Sequence, residues 1–121
     1  MNINHGDVSQ QTPIYTEIPA PEFGPELTVR VRPPTTAEHV LIHKIISNDP
    51  AGEYPAQILI AALCAVDSRG DYVFGLNARD AISTCLHLPG AYLDLLNRIA
   101  LAAAKQIVQT KKVQENRNAN D

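Results

Sequence analysis

The chain has 121 residues and a formal net charge of −3 at pH 7. This length suits one domain with a modest core, and the acidic balance leaves no excess of Lys and Arg to hold phosphates. We expect Cys64 and Cys85, which both fall in apolar helical contexts, to be buried free thiols. The first ten residues lack the basic and apolar regions of a signal peptide, and the longest nearly uncharged run is too short to span a bilayer. A cytoplasmic protein is therefore expected.

Residues 1–26 carry four prolines and few large apolar side chains. Such a segment buries too little surface to offset its ordering entropy, so we expect an extended N-terminal arm. Residues 27–32 then alternate, with Leu27, Val29 and Val31 on one face. This alternation predicts a half-buried strand.

Thr35 and Glu38 have the spacing of a capping box, which predicts a helix beginning at Thr36. We expect this helix to end near Pro50, because the residue before a proline disfavours helical backbone.

Residues 55–66 are apolar nearly all round, which is typical of a helix buried at the centre of a small bundle. We expect Pro55 at its first position, where a missing N–H costs nothing. A polar turn at 67–71 should end the helix, with Gly70 in the left-handed conformation. The chain then returns Phe74 to the core.

Asn77 is a plausible N-cap for a third helix over residues 78–86. A fourth and longest helix is expected to begin near Ala91. Its apolar residues recur at 3.6-residue spacing: Tyr92, Leu95, Leu96, Ile99, Ala102, Ala103 and Ile107. From Gln109 onward the sequence is polar, and we expect a fraying end or solvated tail.

The predicted fold is mainly α: a small bundle of about four helices, preceded by a short strand and the Pro-rich arm. The expected divisions are an arm over 1–26, a helical domain over 27–108 and a polar tail over 109–121. No cofactor-binding motif is visible. We therefore expect a protein that is not an enzyme, with no catalytic, cofactor-binding or metal-binding residues.

The more specific signal is an excess of apolar helix surface, which a single thin bundle covers poorly. Self-association or a helical client would cover it. The residues we expect to contact a partner lie on the fourth helix and its start: Tyr92, Leu93, Leu96, Leu101 and Val108.

Two stretches carry a resemblance to the tail assembly chaperones of long-tailed bacteriophages. The strand ending in Val-Arg and the helix opened by Thr35-Thr36-Ala37-Glu38 resemble the family's L-T-A-E-R start. Residues 60–74 are similar to the family's apolar helix, acidic-Gly turn and hydrophobic-Phe return. A short helix and a longer helix follow, the longer one holding Leu96-Asn97. The resemblance covers residues 27–108, although the arm is long and the turn is less acidic than is usual.

The resemblance implies a non-enzymatic role and a mainly helical, homo-oligomeric protein. Such chaperones bind the tape measure protein, help to recruit tail tube subunits in the host cell cytoplasm, and are absent from the mature virion. Members are often made in a second, longer form by ribosomal frameshifting, and that form would carry the contact with the tail tube protein. Thr110-Lys111-Lys112 can be encoded by a slippery A-AAA-AAG heptamer.

Two other classes remain open. A small helical nucleic-acid-binding or regulatory protein would be favoured by Lys44, Arg69, Arg79 and Arg98 on one face. A metal-dependent enzyme would use His39 and His43, which are four residues apart on one helix, although the glutamate of the zincin motif is missing between them. Cys85 and His87 could suggest a Cys/His nucleophile, but we do not expect the pair to form, because residues i and i+2 point to different sides of a helix.

Overall fold

The computed structural model describes residues 15–119, with side chains described as far as residue 107. It contains four helices and a small antiparallel sheet of strand order β1-β2-β3. The helices are α1 Thr36–Ser47, α2 Ala56–Cys64, α3 Ala78–His87 and α4 Leu93–Ala119. The strands are β1 Thr16–Pro19, β2 Thr28–Val31 and β3 Ala65–Val66, and short 3-10 turns span Pro21–Phe23 and Gly90–Tyr92. The prediction of a mainly helical fold is confirmed.

The expectation of a single short strand is wrong. The later part of the predicted arm forms β1, which pairs with β2 so that Thr16 lies opposite Val31. The N–H of Ala20 donates to the Leu27 carbonyl at 2.8 Å, and Ala20 is fully buried. Backbone hydrogen bonds and one small buried side chain therefore order a segment that has few large apolar residues of its own.

β2 buries Val29 and Val31 as its alternation predicts, whereas Leu27 is half exposed and lies just outside the strand.

The central helix α2 is buried as predicted, with most of its residues in the core, and it packs against the other three helices. It is shorter than expected, because Ala65 and Val66 continue directly as β3 and pair with β2. The Ala65 carbonyl accepts from the N–H of Val73 at 3.0 Å, which favours extended backbone there. Pro55 is the N-cap rather than the first helical residue.

The predicted helix starts are largely confirmed. Thr35 and Glu38 form both bonds of the capping box, and the Asn77 side chain caps α3 by accepting from the N–H of Asp80. α1 ends at Ser47, close to the expected position, and α3 includes one residue more than expected. α4 begins at Leu93 after the second 3-10 turn, and its backbone remains helical to Ala119, where a polar tail was expected.

One hydrophobic core lies between the sheet and the helices, and its largest fully buried side chains include Leu59, Leu63, Leu95 and Ile99. Cys64 and Cys85 are buried and free, as predicted, and burial raises the pKa of each thiol to about 12. Neither thiol is a reactive thiolate near neutral pH. Within the described part of the chain, no helix is long and apolar enough to cross a membrane.

Candidate functional site

The long helix α4 presents one side to the core and another to solvent. The inner side buries Leu95, Leu96, Ile99, Ala100, Ala103 and Gln106. The exposed side carries Leu93, Asn97, Leu101 and Ala104, which follow one another at four, four and three residues and so share a helix face. We call these four residues the α4 outer face. Leu93 is 48% exposed and Leu101 is 57% exposed, so this face offers two large apolar side chains to solvent.

Leu101 also borders a shallow depression between α4 and β1. The depression has a volume of about 350 Å³, and Ile18, Pro19 and Ala102 supply further apolar wall. The apolar surface around Leu101 therefore continues from the helix onto the N-terminal hairpin, which β1 and β2 form over residues 16–31.

The structure separates the residues expected to contact a partner. Leu93 and Leu101 lie on the α4 outer face, whereas Leu96 is only 2% exposed and belongs to the core. Tyr92 is half-buried, with its ring centroid 6.1 Å from that of Phe23. Val108 lies outside the residues whose side chains are described. Two of the five residues are thus available on one exposed face.

Arg98 attaches the N-terminal hairpin to α4. Its Nη1 donates to the Pro19 carbonyl at 2.6 Å, and its Nη2 donates to Glu22 at 2.7 Å. Its Nε also donates to Asp94 at 2.9 Å, within the same helix. The side chain thus binds two successive parts of the hairpin from one point on the helix.

Gln106 makes a second attachment from the buried side of α4. Its Nε2 donates to the Thr16 hydroxyl at 2.7 Å and to the Val31 carbonyl at 3.2 Å. The sequence interpretation placed Ile107 on the apolar stripe and passed over Gln106, although the structure buries Gln106 and leaves Ile107 half-buried. Its burial could have been predicted from its position, because Gln106 follows buried Ile99 by seven residues and Ala103 by three and so lies on the same helix face.

A second polar cluster, around Glu38, holds α1 against the sheet. Glu38 is almost fully buried, and its carboxylate accepts from both terminal nitrogens of Arg32, at 2.7 and 3.0 Å. It also accepts from the Tyr72 hydroxyl and, at 2.8 Å, from the Thr35 N–H. Tyr72 reaches this position because the turn after β3 folds it back beside Val66. The sequence identified Glu38 only as a helix cap and missed its other two partners.

The contacts of Glu38 decide its ionisation. Burial alone raises the pKa of this carboxyl, but the hydrogen bonds from Arg32, Tyr72 and Thr35 outweigh it and hold the pKa below its usual range. Burial, together with the neighbouring carboxylate, raises the pKa of Tyr72 to about 12. Near neutral pH the cluster is therefore a carboxylate fully engaged by donors, which suits a structural role.

The residues weighed for metal binding do not come together. His39 and His43 are both exposed on α1, and within the described residues no group of three or more His, Cys, Asp or Glu side chains is arranged to hold a metal ion.

The four cations weighed for nucleic acid also separate. Lys44 and Arg79 line one groove, whereas Arg69 and Arg98 border two other depressions. Among known proteins, no family model, curated protein or solved structure matches this chain.

Proposed function

We propose that this protein is a non-enzymatic phage tail assembly chaperone that binds the tape measure protein through the α4 outer face. The observation that carries the proposal is the exposure of Leu93 and Leu101 on one side of a long helix, with further apolar surface beside Leu101. An extended helical client has an apolar stripe of its own, and contact between the two apolar surfaces buries both of them away from water.

The same surface supports homo-oligomerisation. Within the described residues Leu93 and Leu101 remain about half exposed, and a second copy can cover them when the client is absent. The protein would act in the host cell cytoplasm, release the client during assembly and be absent from the mature virion. Mass spectrometry of purified virions tests the last point, and finding this chain as a stoichiometric component would contradict it.

The main experiment is co-expression with the tape measure protein encoded by the same genome. We expect the unaltered protein to keep the client soluble and to co-purify with it. The double variant Leu93→Asp/Leu101→Asp should lose both effects, because carboxylates on the contact face would be desolvated on binding.

Val40→Asp is the matched control. Val40 is 61% exposed but lies on α1, so the variant also places a carboxylate at an exposed apolar site without touching α4. Client binding that survives in the double variant, or that is lost equally in the control, would refute the proposed surface. Thermal melts of all three proteins establish that each is folded.

The proposed contact with the tail tube protein belongs to a longer form made by frameshifting at codons 110–112. The core residues described on α4 end at Ala103, and Gln106 is the last buried side chain described. Residues 109–121 are polar apart from Val113 and Ala119, so we expect a chain ending after Gln109 to keep its fold and a further domain to follow without disturbing it. Codons that break the A-AAA-AAG heptamer, or a truncated chain that is unfolded by circular dichroism, would contradict this part of the proposal.

A further inference from the structure

A groove separates α1 from α3 on a surface that shares no lining residue with the depression at Leu101. Its volume is about 430 Å³, which falls within the range typical of ligand sites. Ile82 is buried at its floor, and Ile45 and Leu86 line it while remaining half-exposed. The groove therefore offers apolar surface between two helices, the geometry that accepts a third helix.

The charges of this groove all have one sign. Lys44 lies on the α1 side and Arg79 on the α3 side, and no carboxylate of the described residues lines the groove. This is unexpected in a chain with 13 acidic residues against 10 lysines and arginines. From the sequence, Lys44 and Arg79 were weighed only as two of four cations on one basic face, whereas the structure places these two, 35 positions apart, at one groove.

Among the side chains that the structure describes, neither strong cation has a counter-ion. Arg30, Arg32 and Arg98 each form an ion pair with a carboxylate, but across the part of the structure with described side chains Lys44 and Arg79 form none. Two uncompensated cations on opposite sides of an apolar floor are complementary to apolar side chains flanked by carboxylates.

We infer that the groove between α1 and α3 docks an acidic amphipathic helix of a partner protein. Its apolar side chains contact Ile45, Ile82 and Leu86, and its carboxylates pair with Lys44 and Arg79. A nucleic acid fits this surface less well, because phosphate binding draws its affinity from many cations, whereas this groove has two strong cations beside three aliphatic side chains. The inference does not depend on the proposed role in tail assembly.

The test uses full-length protein and three synthetic peptides of about 20 residues, long enough to form helix. The acidic peptide has leucines at i, i+3, i+4 and i+7 flanked by glutamates. The second peptide replaces every glutamate by lysine, and the third scrambles the acidic sequence so that the leucines no longer share a face. Fluorescence anisotropy measures affinity, and amide NMR shifts locate the bound peptide.

The decisive variant is Lys44→Glu/Arg79→Glu, compared with Arg69→Glu/Lys105→Glu. Both double variants change the net charge equally, and Arg69 and Lys105 likewise form no ion pair among the described side chains but lie outside the groove. We expect the groove variant to bind the acidic peptide at least about tenfold more weakly, while the control changes less than about twofold. Shifts should concentrate at Ile45, Ile82 and Leu86. Thermal melts verify that both variants fold.

Several results would overturn the inference. One is no binding of the acidic peptide at about 1 mM, and another is equal binding of the lysine or scrambled peptide. A short single-stranded oligonucleotide that binds more tightly than the acidic peptide, and loses affinity only in the groove variant, would assign the groove to nucleic acid instead. Groove amide shifts that change with protein concentration in the absence of peptide would assign it to a second copy of the chain.

Discussion

Arg32 binds the Glu38 carboxylate with both of its terminal nitrogens, at 2.7 and 3.0 Å, and so joins the end of β2 to the first turn of α1. Because Glu38 is nearly buried, a glutamine there would keep one acceptor oxygen but would place an amide NH2 donor against a donor of Arg32 or Tyr72. Arg32 would also lose its charged partner and keep only its bond to the Pro33 carbonyl. We expect Glu38→Gln to lower the free energy of unfolding by about 2–3 kcal/mol, as measured by urea denaturation.

Glu17→Gln is the matched control for this substitution. Glu17 also pairs with an arginine, Arg30, but at 3.5 Å and with 53% of its side chain exposed. Solvent screens such a pair, so the control should change the free energy of unfolding by less than about 1 kcal/mol. Equal effects of the two substitutions would show that the buried cluster contributes no more than a surface pair.

The same carboxylate makes stability depend on pH. The pKa of Glu38 is lower in the folded chain than the value of about 4.3 usual for an unfolded one. Its contribution is therefore complete above that unfolded value and is lost as the pH falls through the lower folded pKa. The difference in urea midpoint between the unaltered protein and Glu38→Gln should shrink between pH 7 and about pH 3. A constant difference in urea midpoint across that range would show that Glu38 does not have a lowered pKa in the folded chain.

Substitutions at two glycines distinguish the cost of backbone strain from the cost of steric overlap. Gly70 has a φ of 89°, as the turn after β3 was predicted to require, and a Cβ added there meets no atom within 4 Å. We expect Gly70→Ala to cost about 1–2 kcal/mol, through the left-handed backbone alone.

A Cβ added at Gly75 would lie 2.7 Å from the carbonyl carbon of Asp80 and closer still to the Ala81 nitrogen. Gly75→Ala must therefore displace the first turn of α3, at a cost of about 3 kcal/mol. Chemical denaturation of both variants tests whether Gly75→Ala lowers the free energy of unfolding more than Gly70→Ala does. A larger loss for Gly70→Ala would refute this prediction.

Self-association through α4 is tested by sedimentation velocity over a range of protein concentrations. We expect the unaltered protein to associate as concentration rises, and Leu101→Asp to remain monomeric. Because Leu101 is largely exposed in the single chain, the new carboxylate should disturb the monomer little, whereas at a dry contact it costs about 2 kcal/mol or more. Val40→Asp should associate normally. An unaltered protein that stays monomeric throughout would contradict the prediction.

Local signals in the sequence predicted the helices well. The capping box at Thr35 and Glu38, the N-cap at Asn77 and the turn glycine at Gly70 each depend on neighbouring residues, and the structure has all of them. The two additional strands were missed because both are defined by pairing with β2 rather than by their own patterns. β1 has proline at one end, and β3 is only two residues long, so neither shows a period.

The candidate partner surface was predictable only in part. Periodicity placed Leu96 in the same stripe as the core residues but also allowed it as a contact residue, and packing against the other helices decides which it is. The groove between α1 and α3 was not predictable, because the proximity of Lys44 to Arg79 depends on how those helices are placed by α2 and the core.

The attachment of the N-terminal hairpin to α4 has a consequence for the order in which the chain folds. Thr16 and Val31 receive hydrogen bonds from Gln106, which is synthesised 90 and 75 residues later. The hairpin therefore leaves the ribosome long before Gln106 has been synthesised. Most of the domain must be translated before the sheet can pack against the long helix. Contacts so distant along the chain favour slow folding after release. Pausing or stalling of translation late in the message would hold the nascent chain in a state whose first strand is not yet secured.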